Sequence, residues 1–138
     1  MQPMTSSALA RRRKGYEHEL EIREHRLIAD EQEDAGGGDQ GPSPTELLAG
    51  ALASCTAITI EMYADRKEWD LGEVEVVADF TKGTADSPPK AKVDIRIPVE
   101  LSDDQRERIL KIAHKCPVHR ALLGSDVEID DSLELLGA

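Results

Sequence analysis

Ser43-Pro44-Thr45-Glu46, followed by Leu47-Leu48-Ala49-Gly50-Ala51-Leu52-Ala53-Ser54-Cys55-Thr56-Ala57-Ile58, decides the architecture. Three signals open a helix here: a hydroxyl at the N-cap, proline at the first helical position, and a glutamate three residues after the cap, where its side chain reaches back to the cap. The spacing predicts a helix running to about Lys67. Its first four turns are apolar or small on every side, which leaves no face for water. Such a helix is central. One small chain has difficulty covering a helix all round, so the pattern implies that a second copy supplies part of the cover.

Upstream, Leu20 and Ile22 alternate with Glu19, Glu21 and Arg23 before Leu27-Ile28, which predicts two short strands with a turn near Glu24 and His25. Glu31 to Gln40, with Gly36-Gly37-Gly38, reads as a loop. It lacks the lysine and preceding strand of a phosphate loop. Residues 1–15 show no sustained period and read as a mobile arm, leaving 16–138 as a single domain. Downstream, Val74, Val76, Ala78 and Phe80 alternate with Glu73, Glu75 and Asp79 to predict a half-buried antiparallel strand. Val93, Ile95, Ile97 and Val99 form its hairpin partner after the turn at Ser87-Pro88-Pro89. Ser102 caps a helix with apolar positions Ile109, Leu110, Ile112 and Ala113, Pro117 to Leu123 forms a third helix stopped by Gly124, and Val127 and Ile129 make a last strand.

The 138 residues carry a net charge of −11, which repels phosphates and acidic headgroups and argues against nucleic acid and membrane as partners. The longest uncharged run, Leu47 to Ile60, has 14 residues, whereas a crossing helix needs about 20. The cationic cluster Arg11 to Lys14 follows its short apolar stretch, the wrong order for a secretory signal. A cytoplasmic protein with reduced thiols is the expectation. The high acid content also suits a salty cytoplasm.

Two cysteines, Cys55 and Cys116, stand 61 residues apart without C-x-x-C spacing, which speaks against a structural zinc site or a disulfide framework. Local physics favours Cys116 as the reactive thiol. It precedes Pro117 at a helix start, where the positive end of the helix favours an anion, and residues 109–125 hold Lys111, His114, Lys115, His119 and Arg120 with no acid. The plain alternative is a small buried cysteine beside a solvated basic face. Cys55, mid-helix, reads locally as packing; together the two suit a two-thiol redox cycle. A zinc site from Cys55, Cys116, His114 and His119 has irregular spacing. Glu46 is explained by the capping box, and nine residues of helix put it about 13 Å from Cys55 on the opposite side.

Asp39-x-Gly41-Pro42-Ser43-Pro44-x-Glu46-Leu47-Leu48, then Ala53-Ser54-Cys55-Thr56, then Cys116-Pro117-Val118-x-x-Ala121-Leu122 together resemble the OsmC-like family, which comprises osmotically induced protein C and the organic hydroperoxide resistance proteins. The resemblance covers about residues 16–136. It implies an α+β fold, with antiparallel sheets wrapped around a central apolar helix in an intertwined homodimer. It further implies a thiol-dependent peroxidase of the stress response. In that scheme Cys55 attacks an organic hydroperoxide and becomes a sulfenic acid, Cys116 condenses with it to a disulfide, and an external dithiol or lipoylated reductant restores both, with no bound cofactor or metal. By resemblance Glu46 is the third site residue, paired with a hairpin arginine for which Arg23 and Arg26 both qualify. In the family's peroxidases that glutamate directly follows the helix-start proline; here Thr45 does, and Glu46 comes one later, a form that looks like an uncharacterised branch. A non-catalytic dimeric binding protein for a small apolar or thiol-containing ligand is the alternative.

Overall fold

The computed structural model describes residues 4–124 and 127–137. Strands β1 (Leu9–Lys14), β2 (Glu17–Ile22) and β3 (His25–Ala29) form an antiparallel sheet in that order; helix α1 (Pro44–Arg66) follows, then the two-stranded sheet of β4 (Glu75–Thr81) and β5 (Lys90–Arg96), then α2 (Asp103–Ala113) and α3 (Pro117–Leu123). The chain divides into two compact units, Met1–Ala51 with Ala78–Val93, and Leu52–Val77 with Asp94–Ala138.

In the first unit the expected hairpin is present, with Leu20 opposite Leu27 and Ile22 opposite His25. Residues 1–15 are not simply an arm. Leu9–Lys14 is a strand paired with β2, and its exposed cations meet acids across the ladder, Arg11 to Glu21 at 2.9 Å and Arg13 to Glu17 at 3.3 Å. Every residue of β1 is exposed, so no apolar alternation existed to announce it. The loop after β3 is closed by Asp30, 2 % exposed, whose carboxylate accepts the backbone N–H groups of Glu31 at 2.8 Å and Gln40 at 3.1 Å. Burial alone would push this carboxyl up, but the N–H groups of Glu31, Gln40 and Gly38 and the charge of His18 hold it below the ordinary aspartate value. The glycine run is a turn. A Cβ at Gly37 would collide with the carbonyl of Glu31, and one at Gly41 with that of Ile28.

The N-terminus of α1 has both reciprocal bonds of a capping box, the Ser43 N–H donating to Glu46 Oε1 at 2.8 Å and the Glu46 N–H to Ser43 Oγ at 3.2 Å. By length and hydropathy this 23-residue helix is long enough to cross a bilayer, which corrects the expectation drawn from its 14 uncharged residues. Only Leu52, Thr56, Ile60 and Ala64 are buried, one stripe at a spacing of four, while Ile58 and Met62 are 51 % and 60 % exposed.

The core of the second unit gathers Ile60, Ala64, Leu71, Ile109 and Ala113, flanked by Trp69, Val74, Ile95, Ile97, Leu101 and Ile112. β4 alternates as expected, with Val76, Ala78 and Phe80 half-buried. Ser102 and Gln105 form a second capping box at the start of α2. Leu110, placed on that helix's apolar face by the sequence, is exposed. Val127 and Ile129, expected to form a last strand, lie in irregular chain and are exposed; a strand needs a hydrogen-bonded neighbour, and this segment has no ladder partner among the described residues.

Candidate active site

Cys116 occupies the N-cap of α3 with Pro117 at the first helical position, as its sequence neighbourhood predicts. Its sulfur takes the role a serine oxygen takes elsewhere, accepting the His119 backbone N–H at 3.4 Å. Its own N–H donates to the Ala113 carbonyl at 3.3 Å, which ties the end of α2 to the start of α3. The side chain is fully buried.

Cys55 comes to the same place from α1. Its thiol lies within interaction range of that of Cys116, of the backbone N–H of Val118 and of the hydroxyl of Thr59. Adjacent N–H groups of the first turn of α3 therefore point at two different sulfurs, Val118 at Cys55 and His119 at Cys116. Burial pushes the Cys55 thiol above its ordinary value, and the hydrogen bond to Cys116 adds to this; the Val118 and Thr59 donors act the other way without cancelling it. Both cysteines are free.

The imidazole of His119 stacks on that of His114, the C-cap of α2, with ring centroids 5.1 Å apart and planes 16° from parallel. Its Nδ1 is buried and has no hydrogen-bond partner among the described residues. Burial, then the neighbouring His114, holds this ring below the ordinary histidine value, so it is neutral at neutral pH. The sequence offered His119 as one member of a basic segment and as one ligand of an irregular zinc site, not as a partner of the Cys116 cap. The signal that finds it is its place at the third helical position after a cysteine cap.

Glu46 is not a free carboxylate at the start of α1. Its carboxylate is engaged by Ser43, whose N–H and hydroxyl hold it below the ordinary glutamate value. Nor do the two hairpin arginines supply a free cation: Arg23 meets Glu24 at 3.3 Å and His25 at 3.2 Å, and Arg26 meets Glu19 and Glu21, both at 3.3 Å. Among the described residues no three of His, Cys, Asp and Glu are grouped so as to hold a metal ion, so the irregular zinc reading is not assembled. A cleft of about 520 Å³ in the second unit is lined by Ile95, Ile97, Val99, Leu101, Ile109 and Leu110 together with the charged Glu100 and Arg106, and neither cysteine borders it.

The family model for OsmC-like protein matches residues 36–130, a span that holds both cysteines. An uncharacterized protein of Haloferax volcanii is 30% identical over 96 residues, which cover 66% of this chain and 73% of the relative. Among solved structures, a candidate osmotic stress induced and detoxification response protein from Psychrobacter arcticus superposes with a TM-score of 0.70 at 27% identity, covering 88% of this chain and 90% of that one. An organic hydroperoxide resistance protein from Legionella pneumophila has a TM-score of 0.67 at 22% identity, with 90% and 93% covered. A candidate organic hydroperoxide resistance protein from Vibrio cholerae, with captopril in one of its active sites, has a TM-score of 0.67 at 22% identity, with 91% and 88% covered. The long apolar helix is thus the helix of a known α+β fold. With more than half of the chain inside the family model and the cysteine pair assembled within that span, the chain belongs to the OsmC family.

Proposed function

We propose that this chain is a thiol-dependent peroxidase that reduces organic hydroperoxides. The observation that carries the reading is the approach of the Cys55 and Cys116 thiols, which interact with one another although they come from α1 and α3 across 61 residues of sequence. Cys55 is the less buried of the two, so it meets the peroxide first. Its thiolate displaces alcohol from the O–O bond and becomes a sulfenic acid; Cys116 attacks that sulfur, the disulfide forms and water leaves; an external dithiol or lipoylated reductant then restores both thiols by exchange. No bound cofactor or metal enters the cycle. Apolar and small neighbours along α1 favour an organic over an inorganic peroxide.

A second copy completes the molecule in this reading. The uncovered Ile58 and Met62 on α1 and the raised Cys55 thiol both ask for something not found among the described residues: apolar cover, and a positive charge beside the sulfur. The test is steady-state consumption of an organic hydroperoxide by the reduced protein with a dithiol. Turnover abolished in Cys55→Ser, with the sulfenic acid accumulating in Cys116→Ser, establishes the cycle. Turnover no faster than free dithiol, with both thiols still reduced, overturns it and leaves the non-catalytic binding protein. That second reading takes its support from the Vibrio cholerae relative with captopril in an active site.

A further inference from the structure

His119 stands in the third helical position of α3 while Cys116 is the N-cap. In a complete capping box the side chain at this position folds back and accepts the N–H of the cap residue. Here that N–H is already given to Ala113, so only half of the box exists: the His119 N–H reaches Cys116 Sγ, and the His119 ring has nothing to accept. An orphaned ring nitrogen in the interior costs free energy and calls for a reason. The ring is also held in place, stacked on His114, and it hangs from the Val118–His119 peptide, whose flanking N–H groups address the two sulfurs separately.

We propose that the His119 imidazole is the proton relay of the disulfide-forming step, serving the Cys116 thiol and the oxygen that oxidation leaves on Cys55. The inference rests on the peroxidase reading for its oxidant, an organic hydroperoxide. That oxidant converts the Cys55 thiolate to a sulfenic acid and departs as the alcohol. Cys116 then has a proton to lose, and the sulfenic hydroxyl needs one to leave as water. His119 takes the proton from the Cys116 sulfur, the S–S bond forms as the S–O bond breaks, and the same proton completes the water. Two electrons pass from the two sulfurs to the peroxide, and the histidine is returned neutral. Nδ1 has no partner in the reduced protein, Cys116 included, so the step brings the ring nitrogen onto the Cys116 thiol only once the oxygen is on Cys55. Burial and His114 keep the ring neutral and ready to accept. The ionisable groups around it are His114 from the end of α2, Cys116 at its own N–H and, through Cys116, Cys55 of α1.

The test is a single turnover of the reduced full chain with tert-butyl hydroperoxide, following disulfide formation by mass and by loss of alkylatable thiol from pH 5 to 9, with sulfenic acid trapped by a 1,3-dione. In His119→Gln the disulfide step is expected to slow about 100-fold at pH 7, with the trapped sulfenic acid rising. The gap should narrow towards pH 9, where base from solution competes with the imidazole for the proton. A rate equal to wild type, or a deficit of the same factor at every pH, overturns the relay, the latter being what a purely packing role produces. His114→Gln supplies an independent arm should His119→Gln fail to fold. Removing His114 raises the His119 value, so the acid limb of the profile must move up towards the ordinary histidine value of about 6.5; an unmoved limb counts against the relay. If wild type gives neither sulfenic acid nor disulfide with the hydroperoxide, the peroxidase reading has failed by itself. The same pH series is then run with diamide, which couples two thiols through an adduct on the more accessible sulfur and still requires Cys116 to lose its proton. Dependence on His119 there sustains the relay, and independence removes it.

Discussion

At Cys55 a buried sulfur and a helix end pull in opposite directions. Burial and the Cys116 hydrogen bond raise the thiol, and the donors on Val118 and Thr59 lower it by less. Cys116→Ser removes the neighbouring thiol, whose hydrogen bonding and charge both raise Cys55, so alkylation of Cys55 in that variant should turn on at lower pH than in wild type, while burial still holds it above an ordinary thiol. An onset at higher pH would mean that Cys116 stabilises the thiolate. Asp30 is the other residue whose environment decides its behaviour. Its folded-state value lies below its unfolded one, so the stabilisation is present above the unfolded value of about 3.9 and is lost as pH falls through the folded one. Asp30→Asn replaces an acceptor oxygen with a donor facing a backbone N–H. Its melting midpoint should fall at pH 7, and the difference from wild type should shrink below about pH 4; a pH-independent difference would reduce Asp30 to shape alone. Neither the thiol contact nor the Asp30 clamp is written in local sequence. The Cys-Pro pair announces an N-cap, but its meeting with Cys55 is a tertiary fact across 61 residues, reached only through family resemblance. The orphaned ring of His119 depends on where the Cys116 N–H goes, and no motif states that.

Among the elements, legibility followed the strength of the local code. The two capping boxes, Ser43 with Glu46 and Ser102 with Gln105, are formed by residues three positions apart, so both helix starts were readable. Ser102→Ala should cost about 1 kcal/mol, measured by urea unfolding, and an unchanged midpoint would show that α2 is held by its packing alone. Along α1 the code is silent about which side is covered, because every side is apolar or small. The structure picks out Leu52, Thr56, Ile60 and Ala64. Ile60 is fully buried in the second unit's core, so Ile60→Ala should lose about 2–5 kcal/mol and Ile60→Val about 0.5–1.5. Similar small losses for both would place Ile60 in a loosely packed site. Strand β1 escaped notice because its partners are charges, and cross-strand ion pairs leave no periodic apolar trace. Val127 and Ile129 misled in the opposite sense: two apolar residues at strand spacing have the pattern of a strand and no ladder in this chain.

For the molecule as a whole, net charge and uncovered apolar surface set opposing demands. Each chain carries −11, and a proposed pair would bring twice that charge together. Against this repulsion stands the exposed stripe of Ile58 and Met62, four residues apart on one face of α1, a surface that gains only by being covered. Ile58→Glu with Met62→Glu places charge on that stripe and should convert a pair to single chains in sedimentation; an unchanged mass would locate the contact elsewhere. Salt then discriminates between the two electrostatic contributions. Surface ion pairs such as Arg11–Glu21 and Arg26–Glu19 are worth about 0–1 kcal/mol each and weaken as salt is added, whereas self-repulsion of the acidic surface is relieved as the screening length falls from about 10 Å at 0.1 M to about 3 Å at 1 M. With 28 acidic residues against 17 basic ones, repulsion outweighs pairing. The melting midpoint should therefore rise with salt, and, if the proposed pair forms, rise further in the wild type than in the Ile58→Glu, Met62→Glu variant, because the pair brings two acidic chains together. Equal slopes would separate the salt response from assembly, and a falling midpoint would show that the ion pairs across the β1–β2–β3 sheet govern stability after all.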